Sequence, residues 1–242
     1  MSSGGNSTCG RYNRPVEFLG DMKGGIIMIG TCAACGNHEW DKEVIEDIIH
    51  CPKCGNSWKF KKLPIFFLTG CSGIGKTTTA QELQKLTGKF IVLDADLFYN
   101  IMEPGRDEEY YDMLEQIFNI TKNINQAGTP VVWTMAGNID KLTHTYGTRF
   151  FAGIKVLALT AEPDVIRERM TEGRGIKDEG WIQGSIEYNE YFRTHDAIGD
   201  TKFDKIDCSH GTPQEIAKAV NNWLMENFGN YNPNRSYNAK IM

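Results

Sequence analysis

The stretch Gly70-Cys71-Ser72-Gly73-Ile74-Gly75-Lys76-Thr77 fits the pattern G-x-x-x-x-G-K-[ST]. It follows the apolar run Ile65-Phe66-Phe67-Leu68 and precedes Thr78-Thr79-Ala80-Gln81-Glu82-Leu83, so strand, loop and helix come in the order that phosphate binding needs. From Gly70 through Ser72, Gly73, Ile74 and Gly75 to Thr78, the backbone is expected to curl with its N–H groups turned toward phosphate oxygens. A helix beginning near Lys76 adds the positive end of its dipole. Lys76 is expected to reach the β and γ phosphates of ATP, and the Thr77 hydroxyl to hold Mg2+, both offsetting charge that builds during phosphoryl transfer.

A second constellation is Cys32-Ala33-Ala34-Cys35-Gly36 followed by Cys51-Pro52-Lys53-Cys54-Gly55, a C-x2-C-x15-C-x2-C array. Each pair can form a knuckle in which two thiolates reach one tetrahedral ion, and the glycine after the second cysteine lets the backbone turn back toward sulfur. Cys32, Cys35, Cys51 and Cys54 are therefore the expected ligands of a structural Zn2+, with His38 or His50 replacing a cysteine as the minor variant. A module this small, with strands expected at Ile26 to Ile29 and Trp58 to Phe60, should depend on the metal for its stability. Cys9, Cys71 and Cys208 are left without an assigned role.

A third is Phe90-Ile91-Val92-Leu93-Asp94-Ala95-Asp96. An apolar strand ending in two carboxylates two residues apart projects them into the crevice where α/β proteins bind ligands. A hydrolysing motor wants a glutamate directly after the metal-binding aspartate to activate water, and Ala95 stands there instead. The pattern suits transfer to an acceptor better than hydrolysis. Solvated aspartates at a capped strand end are the plainer alternative.

These motifs need a scaffold, and apolar runs alternating with amphipathic stretches supply one from Leu63 onward. Strands are expected at Ile65 to Thr69, Phe90 to Asp94, Val131 to Thr134, Lys155 to Thr160 and Lys205 to Asp207. Tyr110, Leu114, Ile117, Thr121 and Ile124 recur at helical spacing, with Gly128 ending the helix. Thr212-Pro213-Gln214-Glu215 reads as a capping box that opens a last helix running to Phe228. The expected fold is α/β: a five-stranded parallel P-loop NTPase sheet flanked by helices, preceded by a small zinc ribbon. The expected divisions are a flexible N-terminus over 1–23, the ribbon over 24–62, the P-loop domain over 63–229 and a flexible tail over 230–242.

The P-loop followed by D-x-D resembles the small P-loop kinases of the shikimate kinase, gluconate kinase and chloramphenicol phosphotransferase kind, and nucleoside and nucleotide kinases. The resemblance covers about Pro64 to Phe228. It implies that Asp94 orients Mg2+, and that Asp96 binds the acceptor hydroxyl and takes its proton. It also implies an arginine near adenine on the helix opened by Glu162-Pro163-Asp164, and a lid arginine about two turns later. Arg167 and Arg174 fit these roles, with Arg169 and Arg193 as alternatives. A solvated helix face is the plain meaning of any one of them.

The acceptor is expected between Asp96, the loop Phe98 to Arg106 and Thr134-Met135-Ala136-Gly137-Asn138. Trp133, Phe98 and Tyr99 either stack on a flat ring there or simply pack, and Tyr188, Tyr191 and Phe192 either close over the acceptor or belong to the core. Only Arg106 and Arg149 lie in the middle third, too few to aim at an acidic substrate, which favours a neutral or nucleoside-like acceptor.

Net charge bounds the partners. The chain has 242 residues, 26 Lys and Arg against 31 Asp and Glu, and 40% hydrophobic residues, an ordinary globular composition with no general field for nucleic acid or anionic lipid. Trp58-Lys59-Phe60-Lys61-Lys62 interleaves aromatic and basic residues, but acidic residues around Glu39 to Asp47 dilute it, and a solvated strand edge is the commoner meaning. No apolar run reaches the roughly 20 residues of a membrane span, and metal-spaced cysteines suit a reducing interior, so the expected setting is cytoplasmic. The functional expectation is an ATP:small-molecule phosphotransferase. The alternative is a nucleotide-gated binding module or nucleic-acid end kinase whose ribbon grips RNA, DNA or a protein.

Overall fold

The computed structural model describes residues 29–102 and 107–229. Expectations that fall on 1–28, including the strand from Ile26, on 103–106 with Arg106, and on 230–242 lie outside the described residues. Among the described residues the first elements are β1 (Glu43–Ile45), β2 (Ile48–His50) and β3 (Ser57–Lys59), an antiparallel three-stranded sheet. The β1–β2 hairpin carries no sequence signature, because its turn places Glu46 at φ 53° where glycine or asparagine would have announced it.

The chain then runs through β4 (Ile65–Thr69), α1 (Lys76–Leu86), β5 (Ile91–Asp94), α2 (Tyr99–Met102), α3 (Asp107–Asn125) and β6 (Val131–Thr134). It continues through β7 (Ile154–Thr160), α4 (Pro163–Thr171), α5 (Glu179–Thr194), the hairpin β8 (Ala197–Ile198) and β9 (Thr201–Lys202), β10 (Asp204–Asp207) and α6 (Pro213–Gly229). Five parallel strands lie in the order β5-β6-β4-β7-β10. The chain leaves β4 toward one edge, returns through β6, and then crosses to the other side of β4. That reversal opens a crevice at the carboxyl ends of the strands, beside the P-loop.

Every residue of β4 is buried, as a strand covered on both faces requires. Ile65 and Phe67 join one core cluster, with Leu114, Ile117 and Phe118 of α3. Phe66 and Leu68 join the other, with Leu83 of α1 and Val220 and Leu224 of α6. The helical spacing of α3 also buries Thr121, whose hydroxyl accepts the Trp133 indole N–H at 2.8 Å and donates to the Ile117 carbonyl at 2.7 Å. The reciprocal cap of α6 is formed, with Thr212 N–H donating to the Glu215 carboxylate at 2.8 Å and Glu215 N–H to the Thr212 hydroxyl at 3.3 Å.

The cysteine-bearing module is more than metal-dependent turns. Ile29, Ile49 and Phe60 bury into the same cluster as Phe118 and Phe150, and the Phe60 and Phe150 rings meet edge-on at 5.9 Å. Gln126 at the end of α3 clamps the chain leaving the module, accepting from Lys61 N–H at 2.8 Å and donating to Lys61 C=O at 3.2 Å. Tyr146 Oη donates to the Lys42 carbonyl at 2.8 Å. The module thus docks on α3 and the Tyr146–Phe150 segment rather than on the α4–α5 turn.

Candidate functional site

The loop after β4 is built around its glycines. Gly70 has φ 137°, and a Cβ there would stand 2.6 Å from the Leu159 carbonyl of β7. Gly73, at φ 79°, lets Met170 of α4 approach so closely that a Cβ would sit 2.6 Å from its Cγ. The turn ends at Gly75, and α1 starts at Lys76 with no side chain capping it and no acidic residue in its first turn. An uncapped helix end at the mouth of a Gly-rich curl is a receptor for anionic oxygens. Ser72, Ile74, Thr77 and Thr78 all belong to this curl or to the first turn of α1.

Lys76 folds back onto the loop, its Nζ donating to the carbonyls of Gly70 at 2.9 Å and Cys71 at 3.0 Å. Burial lowers its pKa, while Cys71, Asp96 and Asp94 work against that shift and Arg174 adds to it. Burial likewise raises the Asp96 carboxyl above the usual aspartate value, Asp94 adds to the rise, and Lys76 and Arg174 oppose it. One electrostatic neighbourhood therefore joins Lys76, the Asp94–Asp96 pair and Arg174 from three different segments. Asp94 caps the 3-10 turn that follows β5, accepting from Asp96 N–H at 3.1 Å. Neither aspartate has an ion-pair partner at contact distance among the described residues, which leaves carboxylate oxygens of the hard-ligand kind that Mg2+ takes.

The arginines divide. Arg167 is half exposed and paired with Glu179 at 2.6 Å. Arg169 ties the P-loop to the chain after β10, donating to Ile74 C=O at 3.0 Å and Cys208 C=O at 2.8 Å. Arg193 pairs with Glu162 at 2.7 Å and Glu190 at 3.0 Å. Arg174 lies in the turn between α4 and α5 with its guanidinium over the Trp181 ring at 5.6 Å.

On the acceptor side, Trp133 and Phe98 are buried against each other at 5.9 Å, so neither is free to stack on a ligand. The indole has gone to the core because α3 offers Thr121 as its hydrogen-bond partner. Tyr99, in contrast, is exposed. Arg149 is not aimed at the crevice: its guanidinium stacks on Tyr146 at 3.6 Å and its Nε donates to the same residue's carbonyl. Phe192 is core, and Tyr191 stacks on His195 at 4.1 Å. Tyr188 stands nearer the site, half-buried, where burial pushes its phenol up to about 12 and Asp140 and Cys71 add to the rise. It is a neutral donor at any working pH.

The four cysteines gather, with their sulfurs all within 4.8 Å of one another. The two knuckles repeat each other bond for bond. Cys32 N–H donates to Asn37 C=O and Cys51 N–H to Asn56 C=O, both at 2.9 Å, and Gly36 (φ 72°) and Gly55 (φ 75°) close the turns. The Asn37 amide donates to Cys51 Sγ and the Asn56 amide to Cys32 Sγ, each at 3.7 Å, so each knuckle's asparagine serves the opposite knuckle's sulfur. Burial opposes charge on Cys51, yet N–H groups of Cys54 and Lys53 and the side chains of Cys35 and Asn37 bring it down to about 6. Cys32 is lowered as well, against the pull of burial, whereas Cys54, although the Asn56 N–H favours its thiolate, is pushed up to about 12 by its three sulfur neighbours. This is the pattern of crowded sulfurs that cannot all be charged without a cation among them, and such a set fits a soft or borderline cation. His38 and His50 stand aside, on Gly36 C=O and the Ser57 hydroxyl. The asparagines were legible in the sequence as a doubled C-x-x-C-G-N.

The basic and aromatic strand turns its rings inward. Trp58 packs against the core and Phe60 is buried within it, while Lys62 donates to the Glu46 carbonyl at 2.8 Å. Among the described residues no helix is long and apolar enough to cross a membrane.

Known proteins bear on the fold. A sugar kinase from Janibacter sp. HTCC2649 superposes with a TM-score of 0.52 at 20% identity, over 67% of this chain and 94% of that one. A gluconokinase from Sinorhizobium meliloti 1021 superposes with a TM-score of 0.51 at 19% identity, over 72% of this chain and 100% of that one. No curated protein matches the sequence. A five-stranded parallel sheet with a Gly-rich curl at its switch point is thus a fold shared with P-loop kinases. The family model described as AAA domain matches residues 66–192, just over half of the chain and the whole of the site from the P-loop to α5, so this protein belongs to the AAA domain family.

Proposed function

We propose that the protein is an ATP-dependent phosphotransferase that moves the γ-phosphoryl group of MgATP to a small molecule, either a hydroxyl of a neutral or nucleoside-like acceptor or the phosphate of a nucleotide. The observation that carries this reading is the carboxylate of Asp96, open to solvent, raised in pKa by partial desolvation and by Asp94, and free of any contact ion pair among the described residues, in the electrostatic neighbourhood of Lys76 and Arg174. A group so placed serves an acceptor better than it serves a structure.

The loop N–H groups and Lys76 hold the triphosphate, and Arg169 and Arg167 border its base. Thr77 and Asp94 would hold Mg2+, which supplies charge neutralisation on the phosphates when bound. The acceptor oxygen attacks the γ phosphorus as the bond to the β,γ-bridging oxygen breaks, and ADP leaves with that electron pair. The acceptor proton passes to Asp96, whose raised pKa suits it to receive one late in the transfer. Arg174, released from the Trp181 face, neutralises the transferring charge. With Arg149 committed to Tyr146, no arginine among the described residues of the middle third faces the crevice, which supports a neutral acceptor. The cysteine cluster is proposed to hold one structural Zn2+, closed to substrate because all four ligands are protein sulfurs.

MgATP turnover against nucleosides, nucleotides, sugars, sugar acids and hydroxylated antibiotics tests the proposal, with Asp96→Asn alongside. One acceptor class raising turnover well above the water rate, and the variant losing that gain while still binding ATP, is the expected result. Stimulation only by oligonucleotides or a protein would overturn it.

A further inference from the structure

A cavity of about 180 Å³ lies between the cysteine module and the P-loop domain, against the roughly 10–15 Å³ on the same measure that admits one water. Ile29, His38, Trp40 and Lys42 line it from the module, and Lys122, Tyr146 and Phe150 line it from the domain. Two buried lysines meet here. Lys42 is satisfied, donating to Asp41 at 2.8 Å and Glu39 C=O at 2.7 Å. Lys122 is not: its ammonium lies over the rings of Phe150 at 4.4 Å and Trp40 at 5.3 Å, and no carboxylate is within ion-pair distance among the described residues.

The neighbouring acids are engaged elsewhere. Glu115, one face along α3, accepts from the backbone N–H groups of Tyr146 and Gly147, and Glu39 lies at the exposed rim with His38. Burial lowers the Lys122 pKa to about 8, Glu115 counteracts this, and Lys42 adds to it. At neutral pH a buried cation thus faces a cavity large enough for a ligand, with two aromatic rings beside it and a second cation lining the same space. Such a charge is costly unless an anion joins it.

We propose that this cavity is a second ligand site that takes a small oxyanion, phosphate or phosphate monoester, on Lys122, so bridging the cysteine module to α3. A monoester can lay its attached ring on Trp40, which is 48% exposed at the rim. The site is separate from the P-loop and stands whether or not the phosphotransferase reading does.

The test uses full-length protein saturated with a non-hydrolysable ATP analogue and Mg2+, so that the P-loop is filled. Inorganic phosphate and a nucleoside 5′-monophosphate are titrated calorimetrically. One saturable site is expected, and Lys122→Met should weaken it at least about tenfold, the loss of one charge-assisted hydrogen bond, with affinity for the ATP analogue unchanged. Monophosphate binding more tightly than phosphate assigns the site to nucleotides, and equal binding assigns it to the free ion. Sulfate, whose own charge is constant over the range, should bind wild type progressively more weakly as pH rises above about 8, the free Lys122 pKa. This needs no variant, and so decides the matter if Lys122→Met fails to fold. No saturable binding below ~10 mM, an unaffected variant, or sulfate affinity that is flat to pH 9.5 would each overturn the site.

Discussion

The cysteine cluster and the P-loop are both sets of ligand-ready atoms held by glycine-rich turns, and they are finished differently. Around the cysteines the knuckles duplicate their backbone bonds, and Asn37 and Asn56 cross over to donate to the opposite sulfurs. At the P-loop the helix end has no side-chain cap, Lys76 rests on two loop carbonyls, and two carboxylates lack a cation at contact distance among the described residues. A site meant to hold one ion for good can satisfy every atom in advance. A site that exchanges ligands keeps some of its strongest groups incompletely paired, because those groups supply the binding when a ligand arrives.

That contrast breaks most sharply at Asp96. Asp96→Asn should lower kcat by about 10²–10⁴ while leaving ATP affinity and metal content unchanged. In wild type, kcat/KM should fall as pH drops through a value above the ordinary aspartate range of about 3.9, since burial raises the Asp96 pKa and the base must be ionised to act. Replacing Lys76 by Ala comes next, with turnover reduced by about 10²–10³ and the cysteine cluster still loaded. If either variant also emptied the metal site, the two regions would not be independent.

Cys51→Ser attacks the other side. Bound metal, measured by elemental analysis, should fall from one per chain to near zero, and the melting temperature should drop by about 2–4 °C for each kcal/mol lost. Ile29, Ile49 and Phe60 remain anchored in the main core, so the P-loop should still bind ATP. Gln126→Ala, which removes the clamp on Lys61, should cost about 1–3 kcal/mol by leaving backbone groups unpartnered, visible in thermal melts without loss of metal. The last effect is on pH. Lys122 titrates near 8 when folded against 10.5 unfolded, so the unfolded chain binds more protons between these values. Stability should therefore rise with pH across that window in wild type and not in Lys122→Met.

Much of this was legible one residue at a time. The P-loop, the aspartate pair and the knuckles are local patterns, because a curl, a strand end and a tight turn are each fixed by adjacent residues. The central strands β4, β6 and β7 announce themselves as apolar runs because their faces are covered, whereas the edge strand β10 reads Asp-Lys-Ile-Asp and is largely exposed. The hairpin of β1 and β2 was not legible, since Glu46 adopts a glycine-like conformation that only its neighbours enforce. Neither was the inward turn of Trp58, Phe60, Phe98 and Trp133, because an aromatic residue reads the same whether it faces a ligand or a core.

The sequence by itself determined which atoms can bind phosphate and metal, since those abilities belong to residue types at short spacing. Tertiary structure decided which arginine touches the P-loop, that Arg149 is committed to Tyr146, and that Lys122 is buried against the cysteine module with no carboxylate at ion-pair distance among the described residues. These are contacts between segments far apart in the chain, set by how helices and module pack on the sheet, and no local spacing encodes them.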